Sequence, residues 1–249
     1  MNELVELKNV CKTFYSEQGS VDALKDFNMS VTKGEIIGIV GPSGSGKSTI
    51  LNIIAGLEEI SSGSCQVLGK VGYMFQKDHL LEWRTVLDNI LIGLEIQKTK
   101  TTENINKILQ LVEKYGLIEF INRFPLELSG GMRQRIALIR TLAINPDILL
   151  LDEPFSALDY QTRLEVCNDV YKIIKEQNIT AILVTHDISE AISMCDKVIV
   201  LSKRPATVKE LIDLSHVFIK DLTPLDIRKD PLFGRYFDQI WKLLGDNFE

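Results

Sequence analysis

A glycine-rich loop early in the chain has the residue types and spacing of a phosphate-binding site. The run Gly41-Pro42-Ser43-Gly44-Ser45-Gly46-Lys47-Ser48-Thr49 fits the pattern G-x-x-x-x-G-K-[ST]. In this pattern the glycines let backbone N–H groups approach phosphate oxygens, the lysine reaches the terminal phosphates, and the following hydroxyl holds Mg²⁺. We therefore predict that all nine residues contact a nucleotide and that Ser48 is also a metal ligand.

A pair of acids supplies the second half of phosphoryl-transfer chemistry. Such a reaction needs a carboxylate near the metal and a group that orients the attacking water. The apolar run 148–151 is followed at once by Asp152 and Glu153. We predict that Asp152 holds the metal and that Glu153 is the general base. Taken alone, an apolar run ending in Asp-Glu is usually an ordinary strand end, and the upstream loop is what favours the chemical interpretation.

The elements that must position these residues alternate between strands and helices. Residues 35–40 are nearly all apolar, as in a strand covered on both faces, and an amphipathic helix follows the loop. Further strands are predicted at 4–10, 21–31, 64–68, 71–74, 148–151, 181–184 and 208–214, with a turn at 18–20. Helices are predicted at 160–177 and 233–244, and 78–144 is predicted to be almost wholly helical. The pattern indicates an α/β fold with a mostly parallel sheet, an antiparallel β subdomain at the N-terminus and an α-helical insert.

The composition is that of an ordinary globular protein. Of 249 residues, 45% are hydrophobic and 25% are charged, which argues against a disordered chain. The net charge of -6 argues against a general nucleic-acid binder. No apolar run approaches the ~18 residues that span a bilayer as a helix, and no secretory signal is expected at the N-terminus. The four cysteines lack metal-site spacing and are interpreted as small apolar residues.

A further set of motifs resembles the ABC ATPase family. The run Leu128-Ser129-Gly130-Gly131-Met132-Arg133-Gln134-Arg135 resembles its signature motif and lies ahead of the Asp-Glu strand, as in that family. Gln76 resembles the Q-loop glutamine, Asp159 the D-loop aspartate and His186 the switch histidine. Phe14 stands where the family stacks an aromatic ring on adenine, although Tyr15 is an adjacent rival.

The resemblance implies a P-loop ATPase that uses ATP and Mg²⁺. It implies a head-to-tail homodimer with ATP at the interface, because one nucleotide would need the P-loop of one subunit and the signature of the other. Glu153, His186 and Gln76 would be catalytic, and Gln76 would join Ser48 and Asp152 at the metal. The resemblance adds to the nucleotide-binding set Phe14, Ser129, Gly130, Gly131 and Asp159.

Plainer interpretations of the same residues stay open. Ser129, Gly130 and Gly131 are also good residues for a helix N-terminus, and such a terminus both caps the helix and offers N–H groups to an anion. A lone histidine such as His186 is more often structural than catalytic. Only its position after an apolar strand, downstream of Asp152 and Glu153, favours a catalytic role.

Residues 80–89 resemble importers of the nitrate, sulfonate and taurine type, as does Met132. This resemblance implies an ATP-hydrolysing subunit on the cytoplasmic face of the membrane, energising uptake of a small anion or sulfonate-like solute. Its partners would be integral membrane permease subunits and, indirectly, an extracytoplasmic solute-binding protein. Trp83 would help to form a groove for the permease, unless it belongs to the core of the helical insert. Two departures from the pattern are Glu82, where proline is usual, and a short strand region between Gly63 and Gly72.

The alternative function is that of an ABC ATPase acting on nucleic acid or the ribosome. A single ATPase copy, the absence of sustained heptads and the acidic balance argue against it. A GTPase or a small-molecule kinase shares only the P-loop and leaves 128–135 unexplained. We predict one ABC ATPase domain over 1–249, with a RecA-like core and β subdomain at 1–77 and 145–215. The helical subdomain would span 78–144 and a C-terminal extension 216–249.

Overall fold

A computed structural model describes residues 3–17, 19–219 and 222–245. Two sheets and a set of helices make up this part of the chain. The predicted turn at 18–20 includes Gln18, which lies outside the described residues, as do parts of the predicted C-terminal extension. The predicted α/β fold class, with a mostly parallel sheet and an antiparallel N-terminal sheet, is confirmed.

The described residues form nine strands and eight α-helices. The strands are β1 (Glu3–Ser16), β2 (Gly19–Thr32), β3 (Ile36–Val40), β4 (Ser62–Val67), β5 (Val71–Met74), β6 (Ile148–Asp152), β7 (Thr180–Thr185), β8 (Lys197–Leu201) and β9 (Val208–Asp213). The helices are α1 (Lys47–Ile54), α2 (Val86–Ile96), α3 (Thr102–Lys114), α4 (Gly130–Leu142), α5 (Tyr160–Glu176), α6 (Ile188–Met194), α7 (Pro224–Ile227) and α8 (Pro231–Gly245).

The larger sheet has six strands in the order β5-β6-β7-β3-β8-β9. All neighbouring pairs are parallel except β8 and β9, which are antiparallel. Every residue of β3, β6 and β7 is buried, because helices or the second sheet cover both faces. The carboxyl ends of β3, β6 and β7 meet at one edge, so the segments after Val40, Asp152 and Thr185 lie together there.

The smaller sheet is antiparallel, with strand order β2-β1-β4. Its apolar side chains pack in one cluster with α1 and with one face of the larger sheet, including Phe27, Ile39, Leu51 and Leu150. The opposite face of the larger sheet packs against helices α2 to α6 and α8. The fold is therefore layered, and α1 is held between the two sheets at the edge where the site lies.

The prediction that 78–144 is almost wholly helical is wrong for the connections between its helices. Residues 75–85 are irregular, and between α3 and α4 the chain makes only two short 3₁₀ turns, Ile118–Phe120 and Pro125–Glu127. Capping residues set the helix starts: the hydroxyl groups of Thr85, Thr101 and Ser129 accept backbone N–H bonds at α2, α3 and α4. Apolar residues recur at helical spacing in these connections as well, so the pattern does not show where each helix begins.

The end of the chain is more structured than its sequence indicates. Strand β9 and helix α8 were predicted, whereas α6, β8 and the short α7 were not. α6 packs on β3, and α8 packs on α6 and β8. The assignment of 1–77 and 145–215, 78–144 and 216–249 to a core, a helical subdomain and an extension stays a prediction.

Candidate functional site

The glycine-rich loop that is predicted to bind phosphate joins the buried strand β3 to helix α1. Gly46 caps α1 with a φ of 99°, a conformation that glycine adopts without strain. Lys47 is only 6% exposed, and its Nζ donates to the carbonyl oxygens of Gly41 and Pro42 at 2.9 Å each. Burial lowers the pKa of Lys47, against the opposing influence of Glu153 and Asp152. The Lys47 ammonium is thus held inside the loop that is predicted to bind the phosphates.

The buried carboxylate of Asp152 lies beside the hydroxyl of Ser48. Ser48 Oγ donates to Asp152 Oδ1 at 3.2 Å, and Tyr73 Oη donates to Asp152 Oδ2 at 3.3 Å. Tyr73 Oη also lies 3.0 Å from Asn52 Oδ1 on α1. Burial raises the pKa of Asp152, while the bonds from Ser48 and Tyr73 act in the opposite direction. The strand end and the helix start are thereby tied at the predicted metal position.

Glu153 accepts contacts from the Q-loop and from the segment after β7. Gln76 Nε2 donates to Glu153 Oε2 at 3.2 Å, and His186 Nδ1 lies 3.1 Å from the same oxygen. Glu153 has a φ of 45°, which is uncommon for a residue with a side chain. Its backbone N–H donates to the Val184 carbonyl at 2.8 Å. The structure therefore brings together the three residues predicted to be catalytic.

A buried hydrogen-bonded pair supports the segment that carries His186. Thr185 Oγ1 donates to Glu190 Oε2 at 2.5 Å and accepts from the Asp187 N–H at 3.0 Å. Glu190 is 2% exposed, and burial raises its pKa to about 7. Arg163 Nη1 contacts Asp187 Oδ2 at 3.4 Å, which links α5 to this segment. The His186 side chain is half exposed, and the Thr185–Glu190 bond and the Arg163–Asp187 contact support the segment that carries it.

A cavity of about 310 Å³ opens between the phosphate-binding loop and the β1–β2 hairpin. Phe14 lines it, whereas its rival Tyr15 is 82% exposed and does not. The cavity is lined by Phe14, Val21, Ala23, Ser43, Gly44, Gly46, Lys47, Ser48, Thr49, Glu153 and Arg204. The predicted adenine position of Phe14 and the predicted phosphate position of Lys47 are therefore two walls of one cavity.

The signature and D-loop residues lie outside this cavity. Ser129 caps α4 by accepting the Met132 N–H at 3.3 Å, and Asp159 caps α5 by accepting the Thr162 N–H at 3.1 Å. The bond from Thr162 holds the pKa of Asp159 below its usual value. Neither residue lines the Phe14–Lys47 cavity within the described part of the chain, and the same is true of Gly130 and Gly131.

The signature helix is tied to the segment that follows the Q-loop glutamine. Arg133 Nε contacts Asp78 Oδ2 at 3.0 Å, and Arg140 donates to the carbonyl oxygens of Asp78 and His79. Gln134 Nε2 reaches the Gln76 carbonyl at 3.5 Å. Three side chains of α4 thus hold residues 76–79.

The residues at the predicted metal position fit Mg²⁺. Mg²⁺ favours carboxylate and hydroxyl oxygens, keeps several waters, and takes further oxygens from phosphate. Ser48 Oγ and Asp152 Oδ1 are such donors and already adjoin. No group of three or more His, Cys, Asp and Glu side chains able to hold a metal occurs in residues 3–17, 19–219 and 222–245. The pair thus suits an ion that arrives with phosphate.

Three features of the site were missed in the sequence. Tyr73 supports Asp152, and the Thr185–Glu190 pair supports the His186 segment. Tyr73 lies on β5 and its hydroxyl bonds to Asn52 of α1, a contact between segments that no local sequence motif marks. Arg204 lines the cavity from the loop between β8 and β9, and nothing in its local sequence indicates this position.

Comparison with known proteins decides the family. The model of the ABC transporter family matches residues 24–156. The chain belongs to the ABC transporter family. The ABC transporter ATP-binding protein YtlC of Bacillus subtilis is 43% identical, with 97% of this chain and 95% of the relative covered.

Two further relatives of this ABC protein carry names that state a transported solute. The nitrate import ATP-binding protein NrtD of Synechocystis is 37% identical, covering 96% of this chain and 94% of the relative. The taurine import ATP-binding protein TauB of Escherichia coli K12 is 38% identical, covering 88% and 90%. The resemblance to nitrate and taurine importers is therefore confirmed.

A solved structure supports the fold of this ABC protein. The dimeric structure of the ABC transporter cassette MJ0796 has a TM-score of 0.73 and 33% sequence identity, covering 84% of this chain and 98% of that one. In the described residues, no helix combines the length and the apolar character needed to cross a membrane.

Proposed function

We propose that this chain is the ATP-hydrolysing subunit of an ABC importer and that it works as a homodimer with ATP at the interface. The observation that carries the proposal is the convergence of Gln76, Glu153 and His186 beside the Phe14–Lys47 cavity. The names of the relatives NrtD and TauB support import, and the dimeric MJ0796 cassette supports the dimer.

Nucleotide binding uses the two walls of the cavity. The Phe14 ring stacks on adenine, and the N–H groups from Gly44 to Thr49 point their dipoles at the phosphates. Lys47 exchanges its bonds to the Gly41 and Pro42 carbonyls for phosphate oxygens. Burial lowers the pKa of Lys47, and the negative charge of a bound phosphate acts in the opposite direction.

Hydrolysis uses the carboxylate of Glu153. An oxygen of Glu153 accepts a proton from the attacking water, while Gln76 and His186 fix the direction of that carboxylate. Ser48 and Asp152 would hold Mg²⁺, which neutralises charge on the phosphates when bound. The hydrogen bond from Tyr73 keeps the second oxygen of Asp152 oriented.

The dimer completes each site with the partner's signature segment. Ser129, Gly130 and Gly131 begin a 13-residue helix whose N–H groups suit the terminal phosphate. These residues do not line the cavity of their own chain, which supports their use in trans. Hydrolysis removes the bridging charge, so the closed dimer loses part of its stabilisation and opens.

The membrane partner docks on an exposed apolar patch formed by Trp83, Phe124 and Leu126, which are 74%, 43% and 76% exposed. The two segments are neighbours, because the Val86 N–H donates to the Arg123 carbonyl at 2.8 Å. A contiguous exposed apolar patch, unlike single scattered apolar residues, marks a protein interaction site. Phe124 and Leu126 shortly precede Ser129, and Arg133 of α4 donates to the Leu128 carbonyl at 2.9 Å, so we expect movement of the signature helix to reach the patch.

The solute is a small anion or sulfonate-like molecule, by analogy with the names of NrtD and TauB. A permease and a solute-binding protein select it, so no residue of this chain carries that specificity. The chain lies at the cytoplasmic face of the membrane through its permease.

A single substitution tests the ATPase proposal. Glu153→Gln keeps the shape of the side chain but removes the proton acceptor, so phosphate release should fall by about 10² to 10³-fold while ATP binding is retained. Size-exclusion chromatography with Mg-ATP should show a stable dimer of the variant. The matched control is Glu165→Gln, an exposed acid on α5 that does not line the cavity.

Normal turnover of Glu153→Gln would contradict the role of Glu153. A variant that binds ATP yet stays monomeric would contradict the shared site. Co-purification of the wild-type chain with a membrane protein, lost on Trp83→Ala, separately tests the permease patch.

A further inference from the structure

A cationic side chain lines the nucleotide cavity from outside every ABC motif in the sequence. Arg204 lies in the loop between β8 and β9 and shares the cavity with Phe14, Val21 and Lys47. Among the residues that the structure describes, no acid forms an ion pair with its guanidinium and no acceptor bonds to it. A guanidinium without a partner at such a position is suited to a phosphate oxygen.

The backbone that carries Arg204 is fixed by hydrogen bonds. Ser202 Oγ accepts from the Thr207 N–H at 2.9 Å and donates to the Lys203 carbonyl at 2.8 Å. Ala206 and Ala23 are also bonded, through an N–H to carbonyl bond of 2.9 Å. The loop is thus attached to strand β2, which supplies Ala23 to the cavity wall, so the loop backbone needs little further ordering when the guanidinium binds a ligand.

The attachment to β2 determines which part of a nucleotide the guanidinium meets. Phe14 pairs with Val21 across the β1–β2 hairpin, and the Arg204 loop is bonded to Ala23 of the same hairpin, so we infer that Arg204 and the aromatic ring share one wall. Asp152 and Gln76, by contrast, do not line the cavity, whereas Glu153, Lys47 and Ser48 do. A nucleotide with its base on Phe14 and its terminal phosphates on Lys47 presents its first phosphate between these two walls.

We propose that Arg204 binds the α-phosphate of the nucleotide and is a determinant of affinity for ATP and ADP alike. This inference rests on the proposed function of the cavity. A contact to the α-phosphate is made equally in the ground state and in the transition state, so it strengthens nucleotide binding without changing the hydrolytic step. It also connects the β8–β9 loop to nucleotide occupancy.

Calorimetric titration of ATP and of ADP, in EDTA so that ATP is not hydrolysed, tests the inference. Arg204→Ala should raise the dissociation constant of both nucleotides by the same factor, about 10-fold, and Arg204→Lys should restore part of the loss. Lys203→Ala is the matched control, because it removes an equal charge from the same loop outside the cavity and should change affinity by less than about twofold. The difference between wild type and Arg204→Ala should shrink as salt is raised.

Two results would overturn the assignment. Equal affinities for Arg204→Ala and Lys203→Ala would show that the guanidinium makes no contact. Loss of ATP affinity with unchanged ADP affinity would place the contact at the γ-phosphate instead. A wild-type chain that binds neither nucleotide would contradict the proposed function itself, so the two failures are distinct. Equal thermal unfolding midpoints for all four proteins establish that the fold is retained.

Discussion

The two predicted phosphate-binding helix starts differ in how much of a site each has around it. At the start of α1, Lys47 and Ser48 are surrounded by Asp152, Glu153 and the ring of Phe14 within one chain. At the start of α4, Ser129 caps its own helix and lies outside that cavity. The first region holds a lysine and two carboxylates in place, whereas the second offers only a capped helix terminus.

Under the proposed function, this difference indicates how the chemistry is divided between two chains. Proton transfer and metal binding need side chains at fixed distances, and one chain provides them through three adjacent strand ends. A helix terminus needs only backbone N–H groups, so a second chain can supply it without further catalytic residues. Under the proposed function, a monomer therefore binds nucleotide, and only the dimer hydrolyses it.

The largest expected effect comes from disabling each region in a different subunit. Ser129→Arg should bind ATP but lose hydrolysis by about 100-fold or more, because the arginine blocks the helix start. Lys47→Ala should lose both ATP binding and ATP hydrolysis. When the two variants are mixed, heterodimers contain one complete site, and activity should return to on the order of a quarter of wild type, as expected from a symmetric dimer.

The measurement is phosphate release as a function of the mixing ratio. A maximum near equal amounts supports the division between chains. No recovery at any ratio, with heterodimers verified by differential tags, would mean that the two regions act within one chain or not at all.

The second prediction concerns the support beneath His186 in the first region. Because burial raises the pKa of Glu190 from 4.5 to about 7, the folded chain holds more protons than the unfolded chain between those values. The free energy of unfolding should therefore fall as pH rises through this window, by about 1 kcal/mol for each pH unit. Glu190→Gln should flatten that dependence, since glutamine can still accept from Thr185 without ionising.

Urea unfolding of the wild type and of Glu190→Gln between pH 5 and pH 7.5 is the measurement. Glu165→Gln, an exposed change of the same type, serves as the control and should keep the wild-type slope. Parallel curves for all three proteins would remove Glu190 as the source.

The smallest expected effect separates two neighbouring glycines of the second region. A Cβ at Gly131 would lie 2.5 Å from Thr162 Cγ2, whereas a Cβ at Gly130 would lie 3.5 Å from the nearest atom, Leu158 Cδ2. Gly131→Ala should therefore destabilise the nucleotide-free chain by about 1–2 kcal/mol, and Gly130→Ala should be nearly neutral. Thermal unfolding without nucleotide measures this difference, and equal midpoints would contradict a packing role for Gly131.

Sequence patterns predicted the first region better than the second half of the chain. The phosphate-binding loop and Asp152-Glu153 are local motifs on buried strands, so their types and order predict their meeting at one sheet edge. Arg204 could not be found in this way, because its place depends on the pairing of Ala206 with Ala23, which are far apart in sequence. The helix boundaries within 78–144 were not predicted, because apolar residues recur at helical spacing through the connections as well. The capping hydroxyl groups of Thr85 and Ser129 mark where α2 and α4 begin.

The attachment of α4 to residues 76–79 has a mechanical consequence. Thirteen residues make a rod about 20 Å long, and Arg133 and Arg140 grip the same short segment about two turns apart. Two contacts this far apart fix the orientation of residues 76–79 relative to α4 as well as their position. A force on one end of α4 would therefore tilt residues 76–79 together with the helix. Any partner bound on the far side of that segment would be displaced with it.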